Sequence, residues 1–400
     1  MGTSAGAQTS CAYRRDVEQR GEKLKIPEEY KGREPTYLKH RVLSEYLKSW
    51  AQKWASTIRT KKVVRLWYVD CFAGPWHAQD EALKDTSVAI GLEALKQAAE
   101  TWGSHGHIEL NAIFVEKDKK AFSRLKEFLE KSAGPVKATP LSGEFGEFVE
   151  LIDREIQNEP AFLFVDPTGW KGVGMKNIAP LAGVKGRDVL INVMFNHINR
   201  FKDDPRAFLR EQMRDFFGLS ERDVPPGMTE QGLFALYRKQ LREKCTVGLA
   251  ADLIIPHATH DRTWFRLVMG GHHKAAVELF REIEKRICGA EAGEIRDEAR
   301  NRGTSQLGLD LELSQPDLTY SREHDADMQL APIGVLQLLT RKSPQRFDEL
   351  WSLLLQELHI TRTDLGRLIR NLHAEGKVVI QAPVDRRYAL KDDTLLALPG

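Results

Sequence analysis

Cysteine is scarce in this chain, which has four among its 400 residues: Cys11, Cys71, Cys245 and Cys288. They are widely separated and show no paired spacing, so the sequence predicts neither a zinc site nor a disulfide framework. Isolated thiols of this kind are typical of a reducing compartment.

Long apolar runs are also missing. No stretch approaches the roughly 20 residues that cross a bilayer, and the first residues lack the apolar core of a secretory signal. We therefore expect a cytoplasmic protein with no membrane partner. The formal net charge is only +2, so the overall charge indicates no partner, and only local clusters of charge can do so.

The length and composition nevertheless suffice for a full core and leave room for two or three domains, since 42% of the residues are hydrophobic. The pattern predicts a flexible N-terminal segment at 1–35 and a large α/β domain at 36–288 with a helical insertion at about 204–246. A polar linker at 289–330 and a small module at 331–392 complete the predicted organisation.

The α/β domain alternates apolar strands with amphipathic helices, beginning with a helix at 36–57. Such alternation predicts a doubly wound, seven-stranded parallel sheet that is covered on both faces and binds ligands at the carboxyl ends of its strands. The seven predicted strands are Val63–Asp70, Ile108–Val115, Val136–Leu141, Ala161–Val165, Val189–Phe195, Leu249–Ile255 and Trp264–Met269.

The ends of the first three strands carry residues suited to a nucleoside cofactor. Asp70-x-Phe72-Ala73-Gly74 leaves space for close backbone approach after the first strand, and Glu116 follows the second strand, where a carboxylate can hold ribose hydroxyls. The G-x-G-x-x-G signature of dinucleotide enzymes is absent, which argues against NAD. We predict an S-adenosylmethionine (SAM) site, with Ser142 and Glu144 after the third strand near the adenine.

The fourth strand ends in Asp166-Pro167, which resembles the first half of the Asp-Pro-Pro-aromatic motif of amino-methyltransferases acting on nucleic acid. In those enzymes the carboxylate orients the target amino group and the ring stacks on a flipped base. Here Thr168 replaces the second proline, and the nearest ring, Trp170, comes one position late. Trp170 is either a stacking ring or a lid packed over the sheet edge.

Asn196 follows the fifth strand and is a further candidate catalytic residue, although a satisfied polar residue at a strand end is the alternative. The predicted catalytic set is therefore Asp166, Pro167, Trp170 and Asn196.

Several of these segments together resemble the three-Cys-motif partner (TcmP) family over roughly 36–288. The resemblance implies a methyltransferase-type Rossmann fold and a partner protein that is radical-SAM-like and carries the three cysteines; they are not in this chain. The resembling segments are Lys39–Leu47, Tyr68–Pro75, Phe114–Glu116, Phe164–Trp170, Met194–Asn196 and Leu267–His273.

In the C-terminal module the pattern predicts three short helices at 333–340, 346–358 and 361–375, followed by a hairpin at 377–380 and 387–390. This is the order of a winged helix-turn-helix. The third helix and the wing offer polar and basic side chains to a nucleic-acid groove, although winged helices also dock proteins. The candidate contacts are Thr363, Arg367, Arg370, Asn371, Arg386 and Arg387.

Three functions fit these residues. The first is a SAM-dependent methyltransferase acting on nucleic acid, with DNA as the first choice. The second is a catalytically inactive nucleic-acid-binding partner of another enzyme. The third is a nuclease that holds Mg or Mn with Asp70, Glu116 and Asp166, because two-metal cleavage needs several converging carboxylates.

Overall fold

The computed structural model describes residues 25–74, 83, 85–220, 223–302, 317–381 and 389–399. Its centre is a seven-stranded sheet with the spatial order β3-β2-β1-β4-β5-β7-β6. The strands are β1 Val63–Asp70, β2 His107–Glu116, β3 Lys137–Ser142, β4 Ala161–Val165, β5 Arg187–Val193, β6 Leu249–Pro256 and β7 Thr263–Gly271. All seven predicted strands are confirmed, and their ends shift by at most two residues.

Strands β1 to β5 pair in parallel, as the alternation predicted. Strand β7 runs antiparallel to both β5 and β6, which the prediction of a parallel sheet missed. The reason is visible in the sequence, because the connection at 257–262 is too short for the crossover that parallel strands require. This strand order, with the reversed strand included, is the methyltransferase-like Rossmann arrangement that the resemblance implied.

Helices cover both faces of the sheet and bury two separate apolar cores, as expected for a doubly wound fold. The helices are α1 Glu34–Ala55, α2 Ser87–Trp102, α3 Lys119–Ser132, α4 Phe145–Ile156, α5 Met175–Ala182, α6 Phe195–Phe201, α7 Ala207–Phe217, α8 Glu230–Lys244 and α9 Lys274–Glu284. Helix α1 begins earlier than predicted, and Ile26 and Tyr30 before it are already buried, although flexibility was predicted there.

The segment predicted as a polar linker contains regular structure. A π-helix at Lys285–Glu291 leads into α10 Ala292–Asn301, and α11 Leu318–Arg341 begins before the predicted module. Arg296 on α10 is buried and pairs with Asp317, which caps α11. Ile287, Ala292 and Ile295 are also buried in the core, so a segment with little apolar periodicity still packs onto the domain.

The C-terminal module consists of α11, α12 Phe347–Glu357, α13 Arg362–Ala374 and a small antiparallel sheet of β8 Gln345–Arg346, β9 Val379–Ile380 and β10 Leu395–Ala397. The predicted second hairpin strand falls partly outside the described residues, and the strand that pairs with β9 is β10.

This module packs on the edge of the large sheet. The Gln356 side-chain oxygen accepts a hydrogen bond from the Ala250 amide of β6 at 3.1 Å, and the Arg281 side chain of α9 donates to the Leu355 carbonyl at 2.8 Å. Helix α12 therefore covers an edge strand whose backbone groups would otherwise be free to pair with another chain. Within the described ranges, none of the helices is long and apolar enough to cross a membrane.

Replacing Gly91 with Ala tests the packing of α2 on the sheet. A Cβ atom at Gly91 would lie 2.1 Å from Cε1 of Tyr68 on β1, so we expect a loss of about 1–3 kcal/mol in the free energy of unfolding. Gly103→Ala is the matched control, since a Cβ atom there meets nothing within 4 Å. Urea unfolding measures both variants, and equal midpoints would contradict the packing described here.

Candidate functional site

Two neighbouring cavities open at the carboxyl edge of the sheet. The larger cavity has a volume of about 470 Å³ and borders the ends of β1, β2, β3 and β4. The smaller cavity has a volume of about 210 Å³ and lies between α1, the loop after β1, and strands β4, β5 and β7. They share a wall made of Phe72, Gly74, Asp166, Pro167 and Thr168. A ligand crevice was expected at this edge.

The loop after β1 is held by its own backbone. The Phe72 amide donates to Oδ1 of Asp70 at 3.2 Å, and the Ala73 amide donates to the Val115 carbonyl at 2.8 Å, tying the loop to β2. Phe72 and Gly74 line both cavities and Ala73 lines the smaller one, whereas the fully buried Asp70 lines neither. Asp70 therefore shapes the loop from beneath, which differs from the predicted ligand role.

Burial raises the pKa of the Asp70 carboxyl to about 7. Hydrogen bonds from Ser87 and the Phe72 amide act in the opposite direction, and the nearby Asp166 adds to the rise. A fully buried carboxyl with one adjacent carboxylate favours its neutral form.

Glu116 at the end of β2 lines the larger cavity, in the position predicted for a ribose-binding carboxylate. Its Oε1 accepts a hydrogen bond from the Asp118 amide at 2.6 Å, and Asp118 in turn caps α3. Burial raises the pKa of Glu116 above its ordinary value. The hydrogen bond from the Asp118 amide holds Oε1 of the Glu116 carboxylate against the protein backbone.

After β3 the chain lines the larger cavity with Gly143, Glu144, Phe145 and Gly146. Glu144 also begins α4, where its amide donates to Oε2 of Glu147 at 3.1 Å. Ser142 is exposed and does not line either cavity, so the structure does not bring this predicted residue to the site.

Asp166 lies in the shared wall, and both of its carboxylate oxygens have donors. Lys39 of α1 donates to Oδ2, and the Asn192 amide nitrogen of β5 donates to Oδ1 at 2.6 Å. The Lys39 ammonium also lies 5.3 Å from the centre of the Phe265 ring, a cation–π contact. Asp166 is thus a carboxylate held in place by two other elements.

Sequence reasoning did not assign a role to Lys39 or Asn192. A signal for Lys39 exists, since it stands beside the buried stripe of α1 and is only 6% exposed. Charged side chains are rarely buried without a partner, so a lysine at such a position indicates a carboxylate opposite. Asn192 is an interior residue of an apolar strand, where a polar side chain likewise needs a partner.

Trp170 lines the larger cavity and also packs against the helices beyond it. Its indole nitrogen donates to the Gln212 side-chain oxygen at 3.1 Å, and its ring lies 5.5 Å from Phe201 and 6.4 Å from His197 between centroids. Both predicted readings, a ring facing the ligand and a packed lid, are compatible with this position. Asn196 lines neither cavity, whereas its neighbour His197 lines the larger one.

The metal alternative gains no support. In the described part of the chain, no group of three His, Cys, Asp or Glu residues is arranged to hold a metal ion. Asp70 is buried beneath the loop, and the oxygens of Asp166 are engaged by Lys39 and Asn192.

On α13, the side chains of Thr363, Arg367 and Asn371 are exposed as predicted, and Arg370 is half-buried. One guanidinium nitrogen of Arg370 is buried and has no hydrogen-bond partner within the described residues. Arg386 and Arg387 lie outside those residues.

No family model and no curated protein matches the chain. Among solved structures it is similar to a protein of Thermobifida fusca described as a putative methyltransferase, with 8% identity, a TM-score of 0.28, and coverage of 57% of this chain and 80% of that one. A protein of Pyrococcus horikoshii described as a putative transferase has 12% identity, a TM-score of 0.24, and coverage of 55% and 62%.

A structure of loganic acid methyltransferase with SAH has 10% identity, a TM-score of 0.23, and coverage of 70% of this chain and 91% of that one. Likeness at this level assigns no residue a role, and the fold is established here by the strand order itself.

Replacing Asp70 with Asn tests the buried carboxyl. Because its pKa is raised from 3.8 to about 7, wild-type stability falls as pH rises between these values, by up to about 4 kcal/mol. Asn keeps the acceptor for the Phe72 amide and carries no charge. We expect D70N to be more stable than wild type at pH 8 and nearly equal at pH 4.5 in urea unfolding. A difference that does not change with pH would refute the assignment.

Proposed function

We propose that this protein is a SAM-dependent methyltransferase that acts on nucleic acid. The observation that carries the proposal is the pairing of two carboxylates around the larger cavity: Glu116 at the end of β2 and Asp166 at the end of β4. The volume of about 470 Å³ is within the range of small-molecule sites.

The residues present fit the cofactor. The acceptor oxygens of Glu116 suit the ribose hydroxyls, and the residues from Gly143 to Gly146 offer a wall for the adenine. The loop from Phe72 to Gly74 has small residues at Ala73 and Gly74, so the cofactor can approach the backbone closely beside Asp166. When bound, SAM supplies an electrophilic methyl group on its sulfonium.

Within this site the protein would orient the acceptor and exclude water. Asp166 forms an ion pair with the Lys39 ammonium and can accept a hydrogen bond from an acceptor N–H through the lone pairs that remain on its oxygens. Orientation of the nitrogen lone pair toward the methyl is the main contribution that such a carboxylate makes. Pro167 and Trp170 line the larger cavity together with Asp166.

Nucleic acid as the acceptor, with DNA first, is supported by the C-terminal module. Its three helices and small sheet follow the order of a winged helix-turn-helix, and α13 exposes Thr363, Arg367 and Asn371. Arg367 offers a phosphate contact, and Arg370 adds a second cation on the same helix.

The resemblance to the TcmP family adds a radical-SAM-like three-Cys protein as the proposed partner. Cys71, Cys245 and Cys288 are each buried as free thiols, so cluster chemistry would have to come from a second protein. Free thiols also support the expected reducing cytoplasm.

One observation favours a second candidate, a nucleic-acid-binding partner that has lost methyl transfer. Both oxygens of Asp166 already have internal donors, which is also how a purely structural carboxylate would be satisfied. The two candidates share cofactor binding and differ in transfer.

Replacing Glu116 with Gln tests cofactor binding. Loss of a charge-assisted hydrogen bond to ribose should weaken SAM binding about 10-fold to 100-fold in calorimetry. Glu109→Gln is the matched control, because Glu109 lies near the start of the same strand and pairs with Arg65 at the surface. An equal affinity in both variants would remove Glu116 from the site.

Replacing Asp166 with Ala separates the two candidates. Incubation with labelled SAM and DNA or RNA should give label transfer in wild type and none above background in D166A, while calorimetry still detects SAM. Asp325→Ala, on an exposed residue of α11, is the control. SAM binding without transfer by wild type would favour the inactive partner, and transfer by D166A would exclude Asp166 from the mechanism.

A further inference from the structure

The smaller cavity has no role in holding the cofactor described above, yet it adjoins that site through a common wall. Its lining combines the apolar side chains of Phe72, Met194 and Phe265 with the polar groups of Lys39 and Asn192. Apolar side chains beside a few fixed polar atoms are typical of a site that recognises a ring by its edge.

The orientation of the Asn192 amide can be determined from its partner. Asp166 is paired with Lys39 and is therefore a carboxylate, which only accepts hydrogen bonds. The group of Asn192 that lies 2.6 Å from Oδ1 of Asp166 must be the NH2 group, so the other atom is the carbonyl oxygen Oδ1.

That oxygen has no donor. Asn192 is only 2% exposed, and its Oδ1 is buried without a hydrogen-bond partner among the described residues. An unsatisfied buried acceptor is unfavourable, and native proteins nearly always supply it with a donor. Because Asn192 forms part of the cavity wall, an occupant of the cavity is placed to bring that donor.

Lys39 adds hydrogen-bond donors to the same cavity wall. Its ammonium has three N–H donors, and one of them is used by Asp166. The cavity thus offers acceptors on Asn192 and Asp166 next to a cationic donor. The complementary ligand edge carries an amino group beside a ring nitrogen that accepts, as cytosine and adenine do. Uracil and hypoxanthine present the reverse pattern.

We propose that the smaller cavity is the acceptor pocket and that it takes the amino-bearing edge of a nucleobase, with Oδ1 of Asn192 as a recognition atom. This rests on the proposed function for its chemistry. The amino nitrogen lone pair would form the new N–C bond with the methyl across the shared wall. The C–S bond breaks with its electron pair going to sulfur, and the surplus N–H proton passes to Asp166 and then to solvent.

The test measures the binding of free nucleosides by ligand-observed NMR and compares cytidine with uridine and adenosine with inosine. Each measurement contains saturating S-adenosylhomocysteine, so that binding of adenosine in the larger cavity does not contribute to the signal. Wild type should bind the amino nucleoside at least about 10-fold more tightly than its oxo counterpart. In N192L this preference should disappear, and in N199A, on an exposed residue of α6, it should persist.

Equal binding of both nucleosides by wild type would overturn the proposal, as would an undiminished preference in N192L. The wild-type comparison keeps the test decisive even if N192L does not fold. The cytidine and uridine comparison, repeated without S-adenosylhomocysteine, also separates the two proposals, because neither nucleoside carries an adenine for the larger cavity. Failure to bind S-adenosylhomocysteine with an intact cytidine preference would contradict the proposed function alone.

Discussion

The contact between Lys39 and Asp166 is the interaction on which the rest of the site depends. It joins the first helix of the α/β domain to the end of the central strand β4, at the point where the two cavities meet. Loss of Asp166 would leave the buried Lys39 ammonium without its countercharge, which is unfavourable. The pair therefore fixes α1 over the crevice, and it fixes the carboxylate in the wall with Asn192 on its other side.

Much of the fold could be predicted from the sequence, because strand burial and helix amphipathicity are local patterns. The order of strands and their apolar composition indicated the sheet, and Glu116 and Asp166 were found because strand ends are where carboxylates meet ligands. Strand direction in the β6–β7 hairpin was missed, although the short connection encodes it. The ordered segment at 289–302 was missed because its buried residues, Ala292, Ile295 and the ion-paired Arg296, are too few to give an apolar periodicity.

The candidate site was harder to predict for a geometric reason. Alternation within a strand decides which face a side chain meets, and an error of two residues at the end of β5 drew attention to Asn196 when Asn192 makes the contact. Asp70 ends its strand as predicted, yet its side chain is buried beneath the loop. Lys39 belongs to a helix remote in sequence from β4, and only the folded chain shows that they meet.

The docking of α12 on β6 determines what a truncation between the α/β domain and the C-terminal module would expose. The buried Arg238 of α8 pairs with the buried Asp252 of β6 and with the more exposed Glu357 of the C-terminal module. The module thus supplies one of the carboxylates that pair with Arg238 and covers the outer strand of the large sheet. Cutting the chain before α11 would therefore leave Arg238 without one of its carboxylates and would expose the outer strand to pairing with another chain.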